Sequence, residues 1–111
     1  MFEAGALVLL PFPFSDATTA KRHPVLALTA PDEYGDFIGM AVSSRSHHAN
    51  TLALQNDSLV EGLLPKPSWI RVDRVVTLNA SLVSKVFAQT KADIHRQAVS
   101  GLSEMMHKQI V

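Results

Sequence analysis

The sequence predicts a β-rich α+β fold, a small and mostly antiparallel barrel or curled sheet with one helix at its end. Several short aliphatic or alternating segments, bounded by Pro, Gly, Asn and Asp, are typical of strands. Apolar residues recur at helical spacing only in the last segment. The chain has 111 residues without a repeat or a linker, so we expect one domain over residues 1–111. Strands of this kind close on themselves, and the helix then flanks or plugs one side.

Six segments are predicted to be strands. They cover residues 6–10, 24–30, 37–42, 51–54, 68–76 and 83–88. The first is an aliphatic run that ends at the Pro-Phe-Pro-Phe of residues 11–14, and a small polar loop follows over residues 15–20. Residues 57–67 are predicted to be a connection because they contain Gly62, Pro65 and Pro67.

The C-terminal segment is predicted to be an amphipathic helix. Thr90 and Asp93 have the spacing of a capping box, which begins many helices. The apolar residues after them share one helical face: Ile94, Ala98, Leu102, Met105 and Met106. We expect this face, including both methionines, to pack into the core.

Composition excludes several classes of protein. Hydrophobic residues make up 47% of the chain, which excludes intrinsic disorder. Ten Lys and Arg balance ten Asp and Glu, which excludes a polybasic nucleic-acid binder but permits a local basic patch. The absence of Cys excludes disulfides, thiolate metal sites and a cysteine nucleophile. The longest nearly apolar run is too short to cross a bilayer, and Glu3 does not suit a signal peptide, so we expect a cytoplasmic protein without a membrane partner. The low proportion of charged residues, 18%, is compatible with a dimer.

Two basic clusters lie at predicted strand ends. Lys21, Arg22 and His23 precede a strand, where neighbouring side chains point to opposite faces, so Arg22 and His23 cannot both face one site. The alternative is a solvated basic loop end. After the third strand, Ser43, Ser44, Arg45 and His47 offer hydroxyls and cations that can hold a phosphate, although an ordinary serine-rich turn explains them too. His47 and His48 are adjacent and lack metal-ligand spacing, so no metal site is expected.

Arg71 and Asp73 are two residues apart on a predicted strand and therefore share a face. A carboxylate can accept a proton from a hydroxyl, and a guanidinium can stabilise charge that develops on a phosphate. The alternative is a surface ion pair that contributes about 0 to 1 kcal/mol. The acids concentrate in two turns, Asp32, Glu33 and Asp36 in one and Asp57 and Glu61 in the other, so a neutral chain can still present a basic face to a polyanion.

Six motifs in order carry a resemblance to a known family. They are Gly5 with its strand, Pro-Phe-Pro-Phe at 11–14, Arg-His-Pro-Val-Leu-Ala-Leu at 22–28, Val-Ser-Ser at 42–44, Gly-Leu-Leu at 62–64 and Ser-Trp-Ile-Arg-Val-Asp-Arg-Val-Val-Thr-Leu at 68–78. Over nearly the whole chain they resemble the MazF/PemK toxins of type II toxin–antitoxin systems. The chain departs from the family pattern at Ala6, at His23, where Arg is usual, and near Phe87, where Gly is expected.

The resemblance implies an SH3-like, CcdB-type barrel with a C-terminal helix that acts as a homodimer. It also implies a sequence-selective endoribonuclease that cuts single-stranded RNA without metal or cofactor and is silenced by a cognate antitoxin. The family's arginine and aspartate correspond to Arg71 and Asp73, its Ser/Thr to Ser43, and its basic residue before proline to His23, with Arg22 one position earlier.

In the implied reaction a ribose 2′-hydroxyl attacks the adjacent phosphate and expels the 5′-oxygen. Asp73 is then the general base and Arg71 the phosphate stabiliser or acid, while His23, with Arg22 as its alternative, assists as acid or base. Ser43 also contacts phosphate oxygens, and the substrate-binding residues are Ser44, Arg45, His47 and Lys21. The competing hypothesis is a catalytically decayed toxin, or a CcdB-like toxin that blocks a protein target.

Overall fold

The computed structural model describes residues 1–11 and 22–110 as an antiparallel sheet with one C-terminal α-helix. Its elements are β1 Ala6–Leu10, β2 His23–Ala27, β3 Asp36–Ser43, β4 Thr51–Leu54, β5 Leu59–Gly62, β6 Ser68–Asn79, β7 Lys85–Thr90 and α1 Ala92–Ile110. The seven strands lie in the order β4-β6-β3-β2-β1-β7-β5 and curl into a half-barrel, which confirms the predicted fold class. The predicted loop over residues 15–20, and Lys21, lie outside the described residues.

The structure differs from the prediction at residues 57–67 and at Thr90. Residues 57–67 are not only a connection, because β5 pairs there with β7 at the sheet edge. A four-residue strand that contains Glu61 and Gly62 has little intrinsic strand preference, and its pairing partner lies far along the chain. Thr90 does not begin the helix: it ends β7, and its buried hydroxyl donates to the Gly5 carbonyl oxygen at 2.8 Å.

Both faces of the sheet bury apolar side chains. Consecutive residues of β1 point to opposite faces, so Leu7 packs into one cluster and Val8 into the other. Helix α1 covers the Leu7 side, where Ile94 and Ala98 are buried. Met106, expected in the core, is 52% exposed, and the buried residues of α1, Ile94 and Ala98, lie nearer its start.

Strand β6 contains a wide irregularity that positions the site. Met40 pairs with Val75 and Val42 pairs with Ile70, so β3 has only Ala41 where β6 has residues 71–74. Extra residues on one strand bend it, increase its twist and redirect its side chains. The strict alternation that the sequence predicts for residues 68–76 therefore does not hold through this bulge.

Candidate functional site

A cleft of about 870 Å³ lies across the sheet. One side comes from the start of β2, the end of β3 with the following loop, and β6; the other comes from β7 and residues 63–66. Because β5 and β6 lie near opposite edges of the sheet, the chain between them must cross its open face. This crossing gives the cleft its second side.

Among the described residues that line the cleft, seven are basic and none is acidic. The basic residues are His23, Arg45, His48, Lys66, Arg71, Arg74 and Lys85. A concentration of positive charge in a concave surface attracts anions, although the whole chain is formally neutral. In the acidic turn at residues 32–36, two carboxylates bind nearby donors: Asp32 Oδ1 accepts from the backbone N–H groups of Tyr34 and Asp36, and Asp36 Oδ1 accepts from Asn79 Nδ2.

Arg71 and Asp73 are in contact within the bulge of β6. Arg71 Nη2 lies 3.4 Å from Asp73 Oδ2, and their side chains retain 17% and 27% exposure. Arg71 lines the cleft, whereas Asp73 is not among the lining residues and meets the cleft through Arg71. The carboxylate therefore holds the guanidinium from one side and leaves its remaining donors available.

Two buried nitrogen atoms at the cleft have no hydrogen-bond partner among the described residues: His23 Nε2 and Arg71 Nε. A buried polar atom without a partner costs about 1 to 3 kcal/mol. A phosphate oxygen that accepted hydrogen bonds from these atoms would remove that cost. Both residues lie where a ligand in the cleft reaches them.

The other predicted site residues divide into those at the cleft and those away from it. Ser43, Ser44 and Arg45 line the cleft, and Ser43 Oγ accepts a hydrogen bond from the Arg45 backbone N–H at 3.0 Å. His23 lines it and Arg22, which is exposed, does not, as expected for neighbours on an extended chain. His47 is outside the lining and its ring centroid lies 4.4 Å from that of His48.

Four basic lining residues were not predicted as site residues: His48, Lys66, Arg74 and Lys85. Regular alternation puts Arg74 on the face opposite Arg71, and only the bulge brings both to one cleft. Lys66 and Lys85 reach the cleft through the chain crossing and through strand β7. The adjacency of His48 to the serine-rich turn was the one signal that the sequence offered for it.

His48 is electrostatically linked to the Arg71–Asp73 pair. Partial desolvation, and then the positive charge of Arg71, lower the pKa of His48 from its ordinary value of 6.5, while Asp73 acts in the opposite direction. These effects favour the neutral imidazole of His48, the form that accepts a proton.

Within residues 1–11 and 22–110, no group of three His, Cys, Asp or Glu is arranged to hold a metal ion. No helix in the same part of the chain is long and apolar enough to cross a membrane.

The fold is similar to several solved toxins. An endoribonuclease in complex with its cognate antitoxin from a mycobacterial species superposes with a TM-score of 0.71 at 10% identity, covering 96% of each chain. The Mycobacterium tuberculosis toxin MazF-mt6 gives 0.69 at 13% identity over 92% of this chain and 96% of that one. MazF in the MazE–MazF structure from Deinococcus radiodurans gives 0.69 at 23% identity over 94% and 93%.

At these sequence identities the similar structures support the fold alone. A search of curated protein sequences found no match. The family itself is shown by sequence. The model for PemK-like, MazF-like toxins of type II toxin–antitoxin systems matches residues 3–106, nearly the whole chain. Together with the half-barrel and its basic cleft, this match identifies the chain as a member of the MazF/PemK toxin family.

Proposed function

We propose that this chain is a single-domain toxin that cleaves single-stranded RNA without a metal ion, using the cleft between β6 and β7. The observation that carries the proposal is the pair of buried, unpartnered nitrogens, His23 Nε2 and Arg71 Nε, in a cleft whose described lining has seven basic residues and no acid. Such a site suits a phosphodiester. A toxin that only blocks a protein has no need of buried side-chain nitrogens without a hydrogen-bond partner.

The reaction is attack of a ribose 2′-hydroxyl on the adjacent phosphorus. A bond forms between the 2′-oxygen and phosphorus, the bond to the 5′-oxygen breaks, and the products are a 2′,3′-cyclic phosphate and a free 5′-hydroxyl. The need for the 2′-hydroxyl makes RNA the substrate and DNA inert.

Each step has a candidate residue in the cleft lining or, for Asp73, directly beside Arg71 of that lining. Asp73, beside Arg71, accepts the proton of the 2′-hydroxyl, and Arg71 stabilises the negative charge that develops on the phosphate. His23 supplies a proton to the leaving 5′-oxygen when its imidazole is protonated. Ser44 and Arg45 line the cleft beside them and contact phosphate oxygens, while Ser43 Oγ orders the turn through the Arg45 N–H.

The partners proposed from family membership are a cognate antitoxin and a second copy of the chain, both in the cytoplasm. The mycobacterial endoribonuclease and the Deinococcus radiodurans MazF were each solved with an antitoxin. Helix α1 supports a protein interface because Val99, Met106 and Ile110 lie along one stripe and are 43%, 52% and 81% exposed.

The deciding experiment incubates purified protein with RNA in EDTA. We expect discrete cuts in single-stranded RNA, none in the matching DNA, and none at a site whose ribose is 2′-deoxy. Arg71→Ala should reduce the rate at least about 100-fold, since it removes the charge stabilisation of the transition state. Arg96→Ala, an exposed α1 residue outside the cleft, removes the same charge and should cut normally. No cleavage by the unaltered protein over a wide concentration range would refute the proposed function.

A further inference from the structure

The cleft spans several strands of the curled sheet, and its two ends differ in chemistry. In the sheet order β6-β3-β2-β1-β7, Arg71 on β6 and Phe87 on β7 are separated by four strand spacings. At about 4.8 Å per spacing, this is about 19 Å along the curved sheet. One phosphodiester at Arg71 and His23 therefore occupies only part of the cleft, and the far end is available to a neighbouring nucleotide.

The far end presents an apolar side chain to solvent. Leu63 lines the cleft and is 75% exposed, and the half-buried Phe87 lines it as well. Lys66 and Lys85 are exposed lining residues: Lys85 is two residues before Phe87 on β7, and Lys66 is three residues after Leu63 on the chain that crosses to β6. Lys85 pairs with Leu9 of β1, which also lines the cleft.

The backbone around Leu63 is held in place. Gly62 has φ +87°, and a Cβ there would overlap the carbonyl oxygen of Phe87, so the chain is pressed against β7 just before Leu63. Directly after it, the Leu64 N–H donates to Asn56 Oδ1 at 2.7 Å. An exposed leucine on a chain anchored on both sides needs little ordering when a ligand binds.

We propose that Leu63 and Phe87 form a subsite for a nucleobase next to the scissile phosphate, with Lys66 and Lys85 beside the flanking phosphate. This inference rests on the proposed RNA cleavage. A nucleobase presents an apolar π face that packs on such side chains, and its backbone supplies the anion that the lysines match. The basic residues and the lack of acid among the described lining residues favour a polyanion such as RNA as the occupant. The subsite makes Leu63 and Phe87 determinants of which nucleotides are cut.

The test compares Leu63→Ser with Val60→Ser, since Val60 is 65% exposed on β5 and does not line the cleft. Leu63→Met is the conservative variant. Affinity is measured by fluorescence anisotropy for an oligoribonucleotide that contains the cut site of the unaltered protein, made uncleavable by a 2′-deoxyribose at that site. A second set of oligonucleotides lacks one base at each position near the cut.

We expect Leu63→Ser to weaken binding about 5- to 20-fold, and Leu63→Met and Val60→Ser to stay within about twofold of the unaltered protein. The loss of affinity caused by Leu63→Ser should be absent with only one abasic oligonucleotide, the one that lacks the base bound at the Leu63–Phe87 subsite. Unchanged binding by Leu63→Ser, or an equal loss on every abasic oligonucleotide, would overturn the subsite and leave RNA cleavage standing. Weakened antitoxin binding with unchanged RNA binding would assign Leu63 to a protein partner instead. Absence of RNA cleavage by the unaltered protein would remove both proposals.

Discussion

Replacing Asp73 with Asn separates a chemical role of this carboxylate from a structural one. Its contact with Arg71 measures 3.4 Å, longer than the roughly 2.7–2.9 Å of strong charge-assisted hydrogen bonds. Both side chains retain contact with water, so screening keeps the pair within about 0 to 1 kcal/mol. Asn retains the size and an acceptor oxygen. We therefore expect the free energy of unfolding to fall by at most about 1 kcal/mol.

The rate of RNA cleavage should respond very differently. An amide cannot accept the proton of the 2′-hydroxyl, and loss of a general base typically costs about 100- to 10,000-fold. The matched control is Glu104→Gln on the exposed part of α1, because each substitution raises the formal net charge from 0 to +1. The measurements are the initial rate on one oligoribonucleotide in EDTA, and urea unfolding at equal protein concentration.

Either of two results would refute this reasoning. Cleavage by Asp73→Asn at the unaltered rate would exclude the carboxylate as the base and transfer that role to His23 or His48, which line the cleft. A loss of more than about 3 kcal/mol of stability would show that Asp73 acts mainly by holding Arg71, since that size is typical of breaking a buried pair.

Two further predictions concern packing and titration. Gly39→Ala should lower the free energy of unfolding by about 1 to 3 kcal/mol, because the added Cβ lies 2.5 Å from Val25 Cγ1. Adding Val25→Ala to the same chain should recover part of this loss, as measured by urea unfolding. If the losses of the two substitutions are simply additive, the contact is contradicted. NMR titration should give a pKa for His48 below 6.5, because desolvation and Arg71 disfavour its imidazolium, and Asp73→Asn should lower it further. The stability linked to neutral His48 is then present above pH 6.5 and lost as pH falls through the folded-state pKa; a measured value at or above 6.5 contradicts this.

The segments that sequence predicted best are those whose signal is local. The aliphatic run of β1, the short β4 and the start of β6 have the expected bounds, since apolar periodicity depends on neighbouring residues only. The spacing of Arg71 and Asp73 likewise anticipated their contact. Thr90 shows the limit of local reasoning: its hydroxyl suits a helix cap, but a carbonyl 85 positions away at Gly5 binds it instead.

The strand-rich class, the terminal helix, the family and the Arg71–Asp73 pair are all present in the sequence, because short-range patterns and motif order encode them. The cleft is not. Its second side depends on β5 pairing with β7 and on a chain crossing that follows from the order of the sheet. Arg74 reaches it through a bulge that one-residue counting cannot foresee. These features arise from pairing between distant segments, whose free energy depends on partners and register rather than on the residues of one segment.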